Sequence, residues 1–572
     1  MVKHICIVVL FSFPILFGCA QQNVYDYEGN WVGTLPDRHS FNFTVTLEAL
    51  EADVYHLVIA NKKVLLDTKL HSTGKDHIQL NIDNQLYFDL YQDCNGQALN
   101  GFIKSGRYFY SVQLREVAPN TFEGPWNSFM FNDGILSDDF LLYVENNNNA
   151  QLVAYPIFGD QRFRGTWASG FKRKNDTLFF KDDNTGFKFR ASLSPMGIGL
   201  EIYLVDALIT NIDLTHSEEN LEFQTDPIVN SQSTAAPPQL TDGWETADGR
   251  DFGLNDAELQ RLIDDVLENK LVNTHSILIA KQGKLVFETY FDGFNTDIPH
   301  DLRSASKSIS SAMIGIAIDD GIIEGVDAKL YDCIPETYQY TKDATKSKIR
   351  IKDLLTMSSG LDVNDLASED YYQNPDNPNS WLQTVLEAPM VKEPGTYADY
   401  GSANPFLLGV CLSDRLEKPL ESYMHEKLFV PLGITNYINQ TDDTEVTPYF
   451  GGGMMLTPRD LLKFGQLYLD KGIWNGKRIL SEKWMVESFK KHMQLQDVVD
   501  KNDYGYLWWH DVYKVAGKKI ETVEARGAGG QFIFVIPELE SVVVITSGNF
   551  RNRKGNQPRD ILKEYLLPAM VF

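Results

Sequence analysis

From Leu302 to Gly321 the chain reads LRSASKSISSAMIGIAIDDG, five serines and one lysine at the head of an apolar run. Ile309, Ala312, Met313, Ile316 and Ala317 fall at i, i+3, i+4, i+7 and i+8, the spacing of one helical face, and Ile314 and Ile318 add a second. A helix apolar on two sides belongs in a core, and Gly321 is a C-terminal stop. Its polar first turn therefore faces something other than packing.

Within that turn Ser304 and Lys307 form S-x-x-K, and a three-residue helical step sets both side chains on one face. A serine hydroxyl is a poor nucleophile without an adjacent base, and lysine is a base only where desolvation or nearby cationic charge keeps it partly neutral. A core helix supplies the burial, and its N-terminus supplies unpaired N–H groups where an oxyanion would develop. The pattern alone decides nothing, because it recurs at Ser72/Lys75, Ser169/Lys172 and Ser488/Lys491. The first two lie in strand-and-turn sequence, and the third near the charged end of an amphipathic segment, where a lysine is solvated and protonated. Only Ser304 opens an apolar helix.

Upstream, NDAELQRLIDDVLENK predicts an amphipathic helix capped by Asn255, and HSILIAKQGKLVFETYF a hairpin turning near Gln282 and Gly283. Downstream, a mostly helical middle leads to QFIFVIPELESVVVITSGN, a second hairpin turning at Pro537. Strands at both ends of a helical middle predict one α+β unit over 250–572, an antiparallel sheet plus a helical region, with the terminal strands in one sheet. Residues 225–249, rich in Ser, Thr, Pro, Asp and Gly, read as a linker. Before it, residues 24–224 run in short period-two stretches such as FNFTVTLEAL, VYHLVIA and LYFDLYQ, broken by Gly, Asn and Asp, which predicts an all-β barrel or sandwich. GNWVGTL at Gly29 to Leu35 resembles the opening of lipocalin-like barrels, and FEGPW at Phe122 to Trp126 begins a second half. These aromatics either close a barrel core or mark a ligand pocket.

The first residues, MVKHICIVVLFSFPILFGCAQQ, carry an apolar run too short to span a membrane and suited to a signal peptide over 1–19. LFGC resembles a bacterial lipobox, which makes Cys19 the expected lipidation site and the membrane-anchored face of the periplasm or cell surface the expected location; cleavage after Ala20 would instead leave a soluble periplasmic or secreted protein. Cys94, Cys333 and Cys411 remain, scattered and without a C-x-x-C pair, so neither a disulfide framework nor a zinc site is expected. With 572 residues and 43% hydrophobic content the chain is expected to hold two domains. A formal charge of −26 argues against nucleic acid as a partner and against anionic lipid headgroups, leaving the N-terminal anchor as the membrane contact.

RSASKS followed by IRIKDLLTMSSGL resembles the serine β-lactamase and penicillin-binding protein superfamily, nearest to class C β-lactamase-like esterases, amidohydrolases and D-alanyl-D-alanine peptidases. EPGTYADYGSANPFLLG, GGGMMLTPRDLLKFGQLYLDKG, YGYLWW and GAGGQFIFVIPELESVVVIT continue the likeness in family order from about Trp244 onward. The resemblance implies Ser304 as acylated nucleophile, Lys307 as general base, and Tyr400 as the group that passes a proton to the leaving atom and later activates water. It implies an oxyanion hole from the backbone N–H groups of Ser304 and Gln531. Tyr397 is the competitor for the tyrosine role, with packing as its other reading. Two departures stand out: Ser402 replaces the usual Asn of the second motif, and Ala528-Gly529-Gly530 replaces Lys-Thr-Gly or His-x-Gly. Arg526 either fills in for the missing cation or is a solvated surface charge.

The expected function is an exported serine hydrolase cleaving a small-molecule or peptide-like ester or amide through a Ser304 acyl-enzyme, with no cofactor and no metal. Two alternatives stay open. One is a D-alanyl-D-alanine carboxypeptidase or β-lactamase acting on peptidoglycan-type substrates; the other is a binding protein whose β-domain carries the main function on a non-catalytic hydrolase fold. No H-E-x-x-H, P-loop or G-x-S-x-G motif occurs to start a metal-dependent, phosphoryl-transfer or α/β-hydrolase reading.

Overall fold

The structure is a computed structural model that describes residues 26–128, 136–147, 149–160, 168–218, 234–363, 366–374, 377–496, 501–550 and 552–571; the expected signal peptide and the expected lipidation site Cys19 lie outside them. The period-two stretches form strands β1 (Gly29–Thr34), β2 (Asn42–Glu51), β3 (Val54–Ala60), β4 (Val64–His71), β5 (Ile78–Ile82), β6 (Leu86–Gln92), β7 (Ala98–Ser105) and β8 (Tyr108–Ala118). They continue as β9 (Thr121–Asn127), β10 (Leu136–Asn146), β11 (Leu152–Asp160), β12 (Ala168–Lys174), β13 (Thr177–Asp182), β14 (Lys188–Ser194), β15 (Gly197–Leu204) and β16 (Ala207–Ser217). Period-two alternation works as it should: in β15, Ile198, Leu200, Ile202 and Leu204 are buried while their neighbours are half-exposed.

This region, expected as a barrel or sandwich, holds two eight-strand sets. Strands β11-β10-β1-β16-β15-β14-β13-β12 form a nearly closed barrel whose outer strands, β11 and β12, lie side by side. The path β5-β6-β7-β8-β9-β2-β3-β4 forms the other set, with consecutive β4 and β5 again adjacent. Trp31 and Trp126, the aromatics of the two signature stretches, are both buried in one hydrophobic cluster that runs through both sets, which is the core-closing reading of those residues.

After α1 (Asp256–Leu267), capped by Asn255 as expected, come β17 (Thr274–Lys281), β18 (Lys284–Tyr290) and β19 (His300–Asp301). The helical middle comprises α2 (Lys307–Asp319), α3 (Ile351–Leu355), α4 (Leu366–Tyr372), α5 (Trp381–Glu387), α6 (Ala403–Arg415), α7 (Leu420–Met424) and α8 (Val430–Leu432). Then follow β20 (Ile438–Gln440), β21 (Met454–Leu456), α9 (Pro458–Leu469), the short hairpin β22 (Ile473–Trp474) and β23 (Lys477–Arg478), and α10 (Glu482–Ser488). The chain ends with β24 (Met493–Gln494), β25 (Asp503–Tyr504), β26 (Trp509–Val515), β27 (Lys518–Gly527), β28 (Gln531–Ile536), β29 (Ser541–Ser547), α11 (Gln557–Ile561) and α12 (Leu567–Val571).

The terminal strands share one sheet, β18-β17-β29-β28-β27-β26-β25-β24, with β17 antiparallel to β29. Both its faces are covered, which explains why these strands are apolar throughout: Ile277, Ile279, Val543 and Ile545 pack with α1 and the C-terminal helices, while Leu278, Ala280, Val542 and Val544 face α2 and α9.

One expectation is corrected. Cys333 and Cys411 form a disulfide, tying α6 to the segment after residue 330; Cys94 is exposed and free. In the stretch read as a linker, Trp244 is buried against Trp474, Thr246 bridges to Leu285, and Arg459 holds Asp242 along with Glu288. Among the described residues no helix is long and apolar enough to cross a membrane.

Candidate active site

The quoted stretch folds as a 3-10 turn, Arg303–Ser306, running into α2, on which every residue from Lys307 to Ala317 is buried. The turn is entered through backbone pairing: the Leu302 N–H donates to the Met454 carbonyl at 2.9 Å. Arg303 takes a φ of +47°, a strained conformation for a side-chain-bearing residue that sits immediately before the candidate nucleophile. Asp301 steadies it, accepting from the Arg303 N–H at 3.1 Å and pairing with its guanidinium at 3.0 Å.

Ser304 is half-exposed and Lys307 is 1% exposed, so the hydroxyl reaches solvent while its partner does not. Lys307 Nζ donates to Ser304 Oγ at 2.9 Å, to Ser402 Oγ at 3.0 Å and to the Gly451 carbonyl at 2.5 Å. Burial lowers its pKa from 10.5 to about 8; Glu369 pushes the other way and Arg303 adds to the lowering. About a tenth of such a lysine is neutral at pH 7, a usable fraction of base. Gly451 must be glycine, because a Cβ there would meet the Tyr449 hydroxyl at 2.3 Å.

Tyr400 is buried with its ring centre 5.4 Å from Lys307 Nζ, and Ser402 is the residue immediately before α6. Half-exposed Tyr397 carries Lys392 Nζ over its ring at 4.8 Å. The second motif therefore brings Tyr400 and Ser402 to Lys307. Trp509 lies against Tyr400, ring centres 5.0 Å apart, with Arg526 on Trp509 at 4.9 Å.

Arg526 donates to Glu524 at 2.6 Å and to Asp511 at 2.7 Å, and its side chain is 11% exposed, so it is a buried, paired charge rather than a solvated one. Ala528 is exposed beside it, with no cation in its place. Gly527 lies close against the serine turn: a Cβ on it would meet the Leu302 carbonyl at 2.1 Å and the Ala305 nitrogen at 3.1 Å. Gln531, paired with Gly527 across β27 and β28, is buried with its side-chain amide donating to the Ser547 carbonyl; Gly529 and Gly530 turn the strand with φ of +81° and +92°.

The other three S-x-x-K serines are occupied elsewhere. Ser72 Oγ accepts turn N–H groups, Ser169 donates to Asp183 and Ser488 to the Trp484 carbonyl. Three participants escaped sequence reasoning: the Gly451 carbonyl, Glu369, and Tyr449, whose hydroxyl donates to Glu369 at 2.9 Å. The GGG at Gly451 to Gly453 was the available signal for the first.

A sequence profile described as Beta-lactamase matches residues 259–566, more than half of the chain. A 6-aminohexanoate-dimer hydrolase of Paenarthrobacter ureafaciens is 27% identical over 317 residues, 50% of this chain and 76% of that enzyme. Similar solved structures include a family VIII carboxylesterase, 17% identical over 55% of this chain and 98% of its own, TM-score 0.43. The octameric penicillin-binding protein homologue from Pyrococcus abyssi is 19% identical over 55% of this chain and 77% of its own, TM-score 0.43.

Proposed function

Because the chain belongs to the β-lactamase family, we propose that it is a serine hydrolase that cleaves a small ester or amide through an acyl-enzyme on Ser304. The observation that carries this reading is the 2.9 Å contact between a half-exposed serine hydroxyl and a fully buried lysine. In the acylation step the Ser304 oxygen bonds to the substrate carbonyl carbon while its proton passes to neutral Lys307 Nζ. Tyr400 hands a proton to the leaving oxygen or nitrogen as that bond breaks, and in the second step takes one from the water that releases the acid. The Ser304 and Gln531 backbone N–H groups hold the developing oxyanion.

The substrate class follows from position 528. A third-motif cation would contribute about 1.5–3 kcal/mol toward a substrate carboxylate. Ala528 supplies a methyl group, and Arg526 is spent on Glu524 and Asp511. This favours acyl groups without a carboxylate beside the scissile bond, and a 6-aminohexanoate-dimer hydrolase among the relatives favours substrates outside the β-lactams. The family assignment itself favours a second reading, a D-alanyl-D-alanine carboxypeptidase or β-lactamase acting on peptidoglycan-type substrates. Initial rates on p-nitrophenyl butyrate, nitrocefin and a D-alanyl-D-alanine peptide separate the two. Ester turnover that disappears in Ser304→Ala, with slow nitrocefin hydrolysis that rises in Ala528→Lys, is expected. Efficient nitrocefin or peptide cleavage by the unaltered protein moves the assignment to the second reading, and ester turnover that survives Ser304→Ala removes both.

The disulfide fits an oxidising compartment, which supports export under the N-terminal leader and an anchor at Cys19. The mass of the mature N-terminal peptide from a bacterial membrane fraction tests that part: a diacylated Cys19 supports it, and an unmodified peptide starting after Ala20 replaces it with the soluble form.

A further inference from the structure

Strand β8 divides its second edge between two partners. Its C-terminal half, from Arg115, pairs with β9, whereas Tyr108, Phe109 and Tyr110 pair with Gln440, Asn439 and Ile438 of β20. From β20 the pairing continues to β21 and then β19, ending at Asp301, three residues before Ser304. One hydrogen-bonded ribbon thus joins the N-terminal β-region to the serine turn.

A buried polar clamp reinforces the junction. Asn184, in the turn after β13, accepts on one side-chain oxygen from Arg107 at 2.8 Å and from the Gln440 side-chain amide at 3.3 Å. Its own carbonyl accepts from the Arg107 N–H at 3.0 Å, and the Arg107 carbonyl accepts from the Thr441 N–H at 2.7 Å. Gln440 in turn brackets the glycine strap: its carbonyl accepts from the Tyr449 N–H and its N–H donates to the Gly453 carbonyl, both at 2.7 Å. Between those two ties lies Gly451, whose carbonyl holds Lys307. Arg107 also lies over the Trp381 ring at 5.1 Å, and Trp381 meets Tyr449 edge-to-face at 5.4 Å, so the same guanidinium braces the strap from its other end.

We propose that Asn184, in the N-terminal β-region, is a positioning residue for the hydrolase: with Arg107 it anchors Gln440, and through Gln440 the Tyr449–Gly453 strap that covers and holds Lys307. The β-region is then part of the catalytic apparatus rather than a separate binding module. The inference rests on the Ser304 acyl-enzyme reading. Loss of the clamp lets the strap drift; misplacement of about 1 Å around reacting groups costs up to about 100-fold in rate, and water admitted beside Lys307 removes the burial that lowers its pKa. Glu369 and Arg303, the charged groups acting on Lys307, are left in place by the substitutions below.

The test is the second-order rate at which a fluorophosphonate labels Ser304 in the full chain between pH 6 and 10, for the unaltered protein, Asn184→Leu, Asn184→Asp and Gln440→Met. Asn184→Leu and Gln440→Met are expected to label about 10- to 100-fold more slowly, with the rate midpoint moved about one pH unit upward. Asn184→Asp keeps the acceptor oxygen and is expected to recover to within about threefold, the scale of a retained hydrogen bond. Should Asn184→Leu not accumulate folded, Gln440→Met makes the same cut from the catalytic side and is read alone. Rates and midpoint matching the unaltered protein overturn the inference, as does a slowed rate with an unmoved midpoint that Asn184→Asp does not restore. If the unaltered protein fails to label at Ser304, the acyl-enzyme reading itself falls.

Discussion

Replacing Lys307 by methionine should abolish activity and, more tellingly, change how stability varies with pH. The folded lysine has a pKa of about 8 against 10.5 for the ordinary side chain. That gap of about 2.5 pH units corresponds to about 3 kcal/mol of burial penalty on the ammonium form. Below pH 8 folded and unfolded chains both hold the proton, and the folded state carries the whole penalty. Between pH 8 and 10.5 the folded chain gives up its proton while the unfolded chain keeps it, so the unfolded state binds more protons and stability rises with pH. Methionine has no such gain. At pH 7 the variant escapes the penalty but leaves three acceptors without their donor, Ser304 Oγ, Ser402 Oγ and the Gly451 carbonyl, at about 1 kcal/mol each. The two proteins should therefore be nearly equal in stability at pH 7 and differ by about 3 kcal/mol in favour of the unaltered protein at pH 10.5. Urea unfolding of both at half-unit pH steps reads this directly, because other titrations cancel in the difference. A difference that stays constant within about 0.5 kcal/mol from pH 7 to 10.5 would refute the idea that Lys307 is held as a desolvated base.

Tyr400→Phe should fold normally and lower kcat by about two to four orders of magnitude, whereas Tyr397→Phe should change it less than about threefold; steady-state kinetics decide, and the reverse order would move the proton-transfer role to Tyr397. Replacing Cys333 and Cys411 together by serine should cost about 2–4 kcal/mol in urea unfolding, and a reductant should bring the unaltered protein to the same midpoint. Arg526→Ala should destabilise by about 3–5 kcal/mol, since it removes the guanidinium paired with the fully buried Glu524 carboxylate, and should leave the ratio of ester to nitrocefin rates unchanged; a selective effect on nitrocefin would place Arg526 at the substrate site.

The catalytic fold was legible where local pattern and long-range packing agree. Asn255, the turn at Gln282 and Gly283, and the two-faced helix after Ser304 each signal themselves within a dozen residues, and the apolar terminal hairpins imply a sheet covered on both faces. Position 304 stood out from three identical patterns because burial of the lysine, which decides its chemistry, is itself encoded in helical periodicity. What stayed hidden depends on distance in sequence. Cys333 and Cys411 are 78 residues apart with no spacing motif, so their pairing follows only from the packing of α6. The pairing of Arg526 with Asp511 was hidden because Asp511 comes from the neighbouring strand and meets it only once β26 and β27 pair. The junction of β8 with β20 was least visible of all: three residues of ordinary strand sequence, Ile438 to Gln440, complete an edge more than three hundred residues upstream. The division into two eight-strand sets was masked for a related reason, since β1 pairs with β10 and β16 across the whole first set.

Of the four serines in S-x-x-K patterns, Ser304 alone is expected to act as the nucleophile. Intact-mass measurement after fluorophosphonate treatment, followed by peptide mapping, tests it most directly. A single adduct is expected on the peptide containing Ser304, absent in Ser304→Ala and present in Ser72→Ala, Ser169→Ala and Ser488→Ala. An adduct that persists in Ser304→Ala, or maps to any other serine, would contradict it.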